Sequence, residues 1–389
     1  MRKKLKEVCD FYSGTGFPVK YQGENDGELP FYKVGDIANN ATAGNVYLSL
    51  CNNFISLDVA KEIKGTIIPS DVVVFAKIGE ALKLNRRAIT ACDCLIDNNA
   101  MGIGGKSEYL NSMYFYFYMK NLKMETLAES TTVPSVRKTK LEEIEIDVPT
   151  LAEQSEIVDI LAKLQKVINE RREQLKKFDE LIKARFVELF GNPIHNEKGW
   201  DTATVESVCK VIFGGGTPSK SHPEYYENGD IPWVSSKDMK TDVLTESQIY
   251  INQKGVDNST ARMVPVNSVI MVIRSGILKH TLPVAINAVP ITVNQDLKVF
   301  IPGESILTRF MAVQFKMQEA DILSGVRAVT ADNIEFNSLK QRAMIVPPIE
   351  LQKEYVNFLE QVDKSKVEVK KALDKTQMLM DSLMQEYFG

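Results

Sequence analysis

The strongest constraint on this chain is that it is written twice. Val148-Pro149-Thr150-Leu151-Ala152-Glu153-Gln154 returns, at an offset of 198, as Val346-Pro347-Pro348-Ile349-Glu350-Leu351-Gln352. The match runs without a gap to Phe190-Gly191 and Phe388-Gly389, and 14 of those 44 positions are identical, where chance would give about 3. The stretches ahead repeat more loosely. Val8-Cys9 recurs as Val208-Cys209, and Ser13-Gly14-Thr15-Gly16-Phe17-Pro18 as Gly214-Gly215-Gly216-Thr217-Pro218. Gly27-Glu28-Leu29-Pro30-Phe31 with Asp36 recurs as Gly229-Asp230-Ile231-Pro232-Trp233 with Asp238. Pro69-Ser70-Asp71 and its apolar run through Lys77 and Gly79 parallel Pro265-Val266-Asn267 through Arg274 and Gly276, and Asn98-Asn99 parallels Asn294-Gln295. The chain is therefore a tandem of two units, each a globular head followed by a helical segment. Its 389 residues suffice for two or three domains, each with its own core.

Strand-like apolar runs, glycines and prolines dominate each head, with a shorter helical stretch near 109–127 and another near 307–323. Such a mixture predicts a mixed α/β domain. The helical segments carry their own start and stop signals. Thr150 and Glu153 have capping-box spacing after Pro149, and Gly191 with Pro193 ends the first segment.

Within the first segment, apolar positions step by four and three: Ile157, Leu161, Leu164, Ile168, Arg171, Leu175, Phe178, Ile182, Arg185 and Leu189. The second runs Tyr355, Leu359, Val362, Lys366, Val369, Leu373, Thr376, Met380, Leu383 and Tyr387. This is a coiled-coil seam. Its polar positions do not coincide between copies: Arg171 and Arg185 answer to Val369 and Leu383, while Lys366 and Thr376 answer to Ile168 and Phe178. That mismatch is expected if the two helices pair with each other, polar seam residues fixing register and partner. Forty helical residues extend about 60 Å at 1.5 Å per residue. Paired antiparallel, they would hold one head at each end, with the repeat as an approximate two-fold axis.

Charge narrows the functional classes. The formal net charge is −4. Residues 1–150 hold 18 basic and 19 acidic residues, and 191–345 hold 15 and 16. No segment coats nucleic acid by bulk charge, so DNA binding would need basic residues gathered on one face, or a partner supplying phosphate contacts. Cys9, Cys51, Cys92, Cys94 and Cys209 are odd in number and scattered, without a C-x-x-C pair or nearby histidine. They read as reduced, structural cysteines of a cytoplasmic protein, and a zinc site is not expected. The basic start lacks an apolar run behind it, and no stretch is long enough to span a bilayer; no membrane association is expected.

The same residues carry no familiar catalytic motif. Gly214-Gly215-Gly216 is followed by Thr217-Pro218, and a proline there removes the N–H a phosphate cradle needs. Asn192-Pro193-Ile194-His195 lacks the second proline and the aromatic of an adenine methyltransferase motif and reads as a helix stop. Glu142-Glu143 lacks metal-site spacing and reads as a solvated face. Trp233 after Pro232 reads as core rather than as a base-stacking platform.

The organisation resembles the specificity subunits of Type I restriction-modification systems. The resemblance covers essentially the whole chain. Its motifs are Leu141-Glu142-Glu143-Ile144-Glu145-Ile146-Asp147-Val148-Pro149 with Gln154, and more loosely Leu339 to Pro347 with Gln352. Gly215-Gly216-Thr217-Pro218 and Gly229-Asp230-Ile231-Pro232-Trp233 resemble the opening of that family's target-recognition domain. The first copy departs at Ser13-Gly14-Thr15-Gly16-Phe17-Pro18, which lacks the double glycine.

The resemblance implies an α+β fold with a pseudo-two-fold internal repeat: target-recognition domains at residues 1–149 and 192–347, and coiled-coil helices at 150–191 and 348–389. Each recognition domain would read one half of a bipartite site in double-stranded DNA, the helix pair setting the gap. This chain would hold no cofactor and catalyse nothing. Two modification subunits would bring S-adenosylmethionine and methylate adenine. Restriction subunits using ATP and Mg would be further partners. The rival readings are a complete methyltransferase or nuclease, and a coiled-coil scaffold with two protein-binding heads.

For DNA contact the residues after each head's central strand stand out: Lys77, Lys83, Arg86 and Arg87 in the first, Arg274 and Lys279 in the second. Arginine reads guanine through O6 and N7, and lysine more often holds phosphate. Arg137 and Lys138, and the loop residues Thr217, Ser219, Lys220, Ser235, Ser236 and Lys237, would add contacts.

Overall fold

The computed structural model describes residues 1–129, 133–328 and 332–389. They form two compact units. One comprises Met1–Gln174 with Val369–Gly389, the other Leu175–Glu368. Each unit therefore holds one head, the near part of one long helix and the far part of the other.

The first head is built on a four-stranded antiparallel sheet in the order Cys9–Ser13, Ala100–Gly105, Val72–Ala76, Arg87–Ile89. Its central strand is apolar and buried throughout. Side-chain alternation explains why: Val73 and Phe75 join the core around the helix Ser112–Asn121, while Val72 and Val74 join a second core with Tyr32, Ile68 and Ile96. A three-stranded mixed sheet, Phe54–Ile55, Leu29–Tyr32 and Leu95–Ile96, lies alongside in the chain's topology. The short strands Arg2–Lys4 and Glu145–Asp147 pair antiparallel and tie the two ends of the head together.

The second head follows the same plan. Its sheet runs Cys209–Gly214, Leu297–Pro302, Val269–Val272, Val284–Asn287, with Val243–Leu244 added as a parallel fifth strand. The smaller sheet is Tyr250–Ile251, Ile231–Val234, Thr292–Val293, and Thr202–Thr204 pairs with Ala343–Ile345 to close the head. Thr308–Met317 is the counterpart of the first head's helix, continued by the short helix Glu319–Ser324.

The long helices run Leu151–Phe190 and Ile349–Phe388, 40 residues each. The first opens as its capping box requires: Thr150 N–H donates to Glu153 Oε2 at 2.8 Å, and Glu153 N–H to Thr150 Oγ1 at 3.3 Å. It stops at Gly191, whose φ of 74° suits glycine. Asn192 Oδ1 then accepts from the Ile194 N–H at 2.8 Å, turning the chain just after the helix stop.

In the second unit the helices run antiparallel. Arg185 meets Glu354 at 2.9 Å, Tyr355 Oη donates to the Ile182 carbonyl at 2.9 Å, and Lys366 meets Asp179 at 2.6 Å. In the first unit the Arg171 guanidinium donates to both the Ala372 carbonyl and Thr376 Oγ1. Two of the seam's polar exceptions thus satisfy one another. The seam does not only cover its partner helix, however. Tyr355 and Leu359 enter the second head's core, and Leu161, Ile168 and Met380 enter the first's; Phe186, Phe190 and Met384, off the seam, join them there.

Two buried glutamines fasten helix to head. Gln154 donates to the Tyr109 and Pro149 carbonyls at 2.8 and 3.0 Å and accepts from Asn111 N–H at 2.8 Å. Gln352 repeats this with the Ser305 and Pro347 carbonyls at 2.9 and 2.8 Å and Leu307 N–H at 2.9 Å. An amide satisfies one free N–H and two free carbonyls at once, which neither glutamate nor leucine can do.

Candidate nucleic-acid interface

In each head the loop after the opening strand, the end of the central strand and two further segments converge. In the second head Gly216 N–H donates to the Val293 carbonyl at 3.0 Å, Ile273 N–H to the Asp296 carbonyl at 2.9 Å, and Ser275 N–H to the Asp332 carbonyl at 3.1 Å. Thr217 Oγ1 donates to Gln295 Oε1. In the first head Thr15 N–H donates to the Ile96 carbonyl, Lys77 N–H to Asn99, and Val136 N–H to Lys77, all at 2.9 Å. The same four segments therefore meet twice, each time at the exit of a rigid central strand. A site built this way holds its side chains on a fixed backbone while leaving their identity free.

The glycines explain the convergence. A Cβ on Gly215 would lie 1.9 Å from the Val293 carbonyl oxygen, and one on Gly14 would lie 1.8 Å from that of Asp97. Gly14 thus does the work of Gly215. Gly216, whose Cβ would sit 2.2 Å from Thr260 Oγ1, is replaced by Thr15 in the first head. The missing double glycine is a local difference in loop packing.

The predicted contact residues divide between this face and elsewhere. Lys77 and Arg274 stand at the strand exits, and neither has an ion-pair partner among the described residues. Arg137 follows Val136 on the same exit and meets Glu129 at 2.9 Å; Lys138 meets Glu142 at 3.6 Å and stands over the Phe11 ring. Lys279 lies 3.9 Å from the buried Asp332 carboxylate.

Thr217, Ser219, Lys220 and Lys237 are exposed, and Ser219 Oγ shares a 2.7 Å hydrogen bond with Ser221. Ser236 is half-buried. Ser235 is engaged structurally: its N–H and hydroxyl each donate to Asp238 Oδ2 at 2.8 Å. In the first head Lys33 N–H donates to Asp36 Oδ2 at 2.8 Å, so the repeated aspartate is a turn-former. Trp233 is buried, with Nε1 donating to the Gly216 carbonyl at 3.0 Å.

Three residues depart from the expected group. Lys83 is held by Glu80 at 2.8 Å on its own short helix. Arg87 faces Phe75 across the sheet and is only 3% exposed, so it does not reach the open surface. Arg86 and Arg87 line a cavity with Lys120 and Arg172, not the strand exit. Glu143 is exposed, in keeping with a solvated face, and bridges Lys4 and Lys6 there at 2.5 Å each, which holds its carboxyl down at about 2.

Residues not singled out from the sequence also belong here. Gln295 touches Thr217, and the Asn99 carbonyl accepts from Lys77 N–H as the Asp296 carbonyl does from Ile273 N–H; the structure thus aligns Asn98-Asn99 with Gln295-Asp296, one residue on from the match read in the sequence. Arg262, exposed and stacked over the Phe213 ring at 4.4 Å, had no signal in the sequence. Among the described residues no group of three or more His, Cys, Asp or Glu could hold a metal ion, and no helix is long and apolar enough to cross a membrane.

Known proteins share this organisation. The family described as the Type I restriction modification DNA specificity domain matches residues 1–177 and again 197–376. The specificity subunit of the Type I restriction enzyme EcoR124I/EcoR124II from Escherichia coli is 31% identical over 292 residues, 71% of this chain and 66% of that subunit's length. The MjaIX specificity subunit of Methanocaldococcus jannaschii is 24% identical over 383 residues, 89% of this chain and 82% of its own. The fold is also that of a crystal structure of a Type-I restriction-modification S subunit from M. genitalium, with a TM-score of 0.57 at 12% identity, covering 100% of this chain and 96% of that one.

Proposed function

The chain belongs to the Type I restriction-modification DNA specificity family, and from that premise we propose that each head reads one half of a bipartite, asymmetric DNA site. One observation carries this reading. The four converging segments are the same in both heads, but they present Lys77, Arg137 and Thr15 in one and Arg274, Lys279 and Thr217 in the other. A shared backbone with different side chains is what two different half-sites require. Arg274 and Lys77 are the central contacts, one suited to a guanine edge and the other to phosphate. Arg137, Lys138, Lys220 and Lys237 add backbone contacts.

Two modification subunits carrying S-adenosylmethionine assemble on this chain and methylate adenine. Restriction subunits, with ATP and Mg, join them for cleavage. This chain directs the chemistry without performing it. The helix pair sets the spacer between half-sites. Adding one heptad to both helices lengthens each by about 10 Å at 1.5 Å per residue, close to 3 base pairs at about 3.4 Å each.

Methylome sequencing of cells carrying this chain with its modification subunits tests the reading directly. The expected result is one two-part motif with a fixed gap. Exchanging residues 192–347 for the equivalent head of another subunit should change one half alone, and the heptad insertion should lengthen the gap. A motif that survives the exchange unchanged would leave a scaffold with two protein-binding heads. Equal binding of the assembled complex to all duplexes at physiological salt would reject sequence reading altogether.

A further inference from the structure

Arg87 is the least accounted-for side chain in the first unit. It is buried beside no carboxylate. Its guanidinium lies 4.9 Å from the Phe75 ring centre. Nη1 donates to the Arg86 carbonyl at 3.0 Å, and Nη2 to Asn85 Oδ1 at 2.6 Å and the Leu122 carbonyl at 3.4 Å. Nε has no hydrogen-bond partner among the described residues. The side chain lines a cavity of about 160 Å³ together with Arg86, Lys120, Gln165, Asn169 and the exposed Arg172. No carboxylate lines this cavity. Lys120 is half-buried, and its ammonium donates to the neutral Gln165 Oε1 at 2.8 Å. Burial lowers both cations' pKa values, Arg87 to about 9; at Lys120 Arg172 adds to the effect and the Asp381 carboxylate opposes it. A buried guanidinium without a counter-charge is strongly unfavourable unless something else neutralises it.

The second head shows that the fold does not need this arrangement. Arg87 pairs with Phe75 in the sheet as Val284 pairs with Met271. Ile89 N–H donates to the Val46 carbonyl at 2.8 Å as Ile286 N–H does to Asp242 at 2.9 Å. Valine therefore stands in Arg87's place, and Asp242 in that of Val46. On the long helices the repeat puts Asp363 where the first copy has Gln165. Asp242 holds Lys316 at 2.5 Å, and Asp363 holds Arg309. The second head neutralises its cations with carboxylates. The first has neither acid and carries a buried arginine.

We propose that this cavity is a binding site for a phosphate-class oxyanion, held by Arg87 and Lys120 with Arg86 and Arg172 at its mouth. Its volume lies well below the roughly 300–1,000 Å³ of cofactor pockets, so a single small anion fits and a nucleotide does not. A doubly charged oxyanion balances several cations, as chloride cannot, and arginine guanidinium is shaped for phosphate oxygens. The anion is either free inorganic phosphate or one backbone phosphate of a bound duplex. The site is independent of which bases the heads read.

The test uses the full chain, with sodium phosphate replacing sodium chloride at constant ionic strength and pH. Phosphate should raise the melting temperature and titrate with a saturating heat. Arg87→Val, the second head's own residue, and the exposed Arg172→Gln should each weaken phosphate binding at least about tenfold, the loss of a charge-assisted hydrogen bond. Lys316→Gln, in the other head, should leave it unchanged. Arg172→Gln keeps the test open if Arg87→Val fails to fold. If the occupant is a DNA phosphate instead, the free chain shows little phosphate heat. In that case, in the complex with modification subunits, Arg87→Val lowers the logarithmic salt slope of duplex binding by about one, and inorganic phosphate competes. The phosphate arm needs no DNA, so its outcome is separate from that of sequence reading. Equal responses to phosphate and chloride, with an unchanged salt slope in Arg87→Val, would overturn the site.

Discussion

In the first head the chain leaves its opening strand through Gly14-Thr15, and in the second through Gly215-Gly216. Both routes press the backbone against a carbonyl, of Asp97 in one and Val293 in the other. Around these shared contacts the side chains have drifted freely: Lys77 against Ile273 at the strand exit, with Arg274 one residue further on, Arg87 against Val284 in the sheet, Val46 against Asp242 beside it. The contrast teaches which positions carry the frame and which carry the reading. Backbone-to-backbone contacts and buried amides are kept, because any change there displaces the chain itself. Charges are exchanged, because the frame tolerates either sign.

The sharpest break in this comparison is at the glycines. Gly14→Val and Gly215→Val each drive a side chain into backbone that cannot yield. Each should destabilise its own head by about 3 kcal/mol or more, seen as a lower-temperature transition for that unit and as protease sensitivity. If the heads are alike in frame, the two losses should match. Gly216→Ala should be harmful, while its counterpart Thr15 already carries a side chain.

Next in size are the glutamine fasteners. Gln154→Ala and Gln352→Ala each leave three backbone groups, most of them partly buried, without their partner. The expected loss is about 2–3 kcal/mol each by denaturant unfolding. Substituting glutamate, which cannot donate to the two carbonyls, should be no better than alanine. Unequal losses at the two sites would show that the joints are not mechanically equivalent.

A smaller effect distinguishes the helices. Arg171 and Thr376 bond one another, whereas the repeat has Val369 and Phe178 at the corresponding positions. Arg171→Ala should cost about 1–2 kcal/mol, and a double-mutant cycle with Thr376→Ala should show coupling of about 1 kcal/mol. No coupling would mean that the pair does not help set register.

Much of this was legible before any coordinates. The capping box at Thr150 and Glu153, the stop at Gly191 and the buried strand Val72–Ala76 follow from local chemistry, and the structure has them where the residues put them. The destination of the seam was not legible. Apolar spacing says which face of a helix is buried, not what covers it, so Tyr355 and Leu359 read as helix–helix contacts although they also enter a head's core. Arg87 failed for a related reason. Beside Arg86 and Lys83 it reads as one of a basic cluster, and only the pairing register with Phe75 turns it inward. The strand-exit face itself was traceable through the repeat, but Arg262 on Phe213 came from no pattern at all.

The smallest effect lies where each head is stapled shut. In the first, Glu143 accepts from Lys4 and Lys6 across the joint between opening and closing segments. In the second, Lys340 sits on the closing side and meets Glu206 of the opening side at 2.5 Å. The joint is the same and its polarity is reversed. The two lysines hold the Glu143 carboxyl near 2, against an ordinary value of 4.5. A carboxyl depressed on folding contributes stability that is fully present above about pH 4.5 and is lost as pH falls toward 2. Glu143→Gln should therefore be slightly less stable than the parent chain at neutral pH, and the gap should close between those values. Because all three groups are exposed, added salt should shrink it too. A difference that persists below pH 2, or that ignores salt, would mean that Glu143 acts by packing, and that the reversed polarity of the second joint is not an equivalent solution.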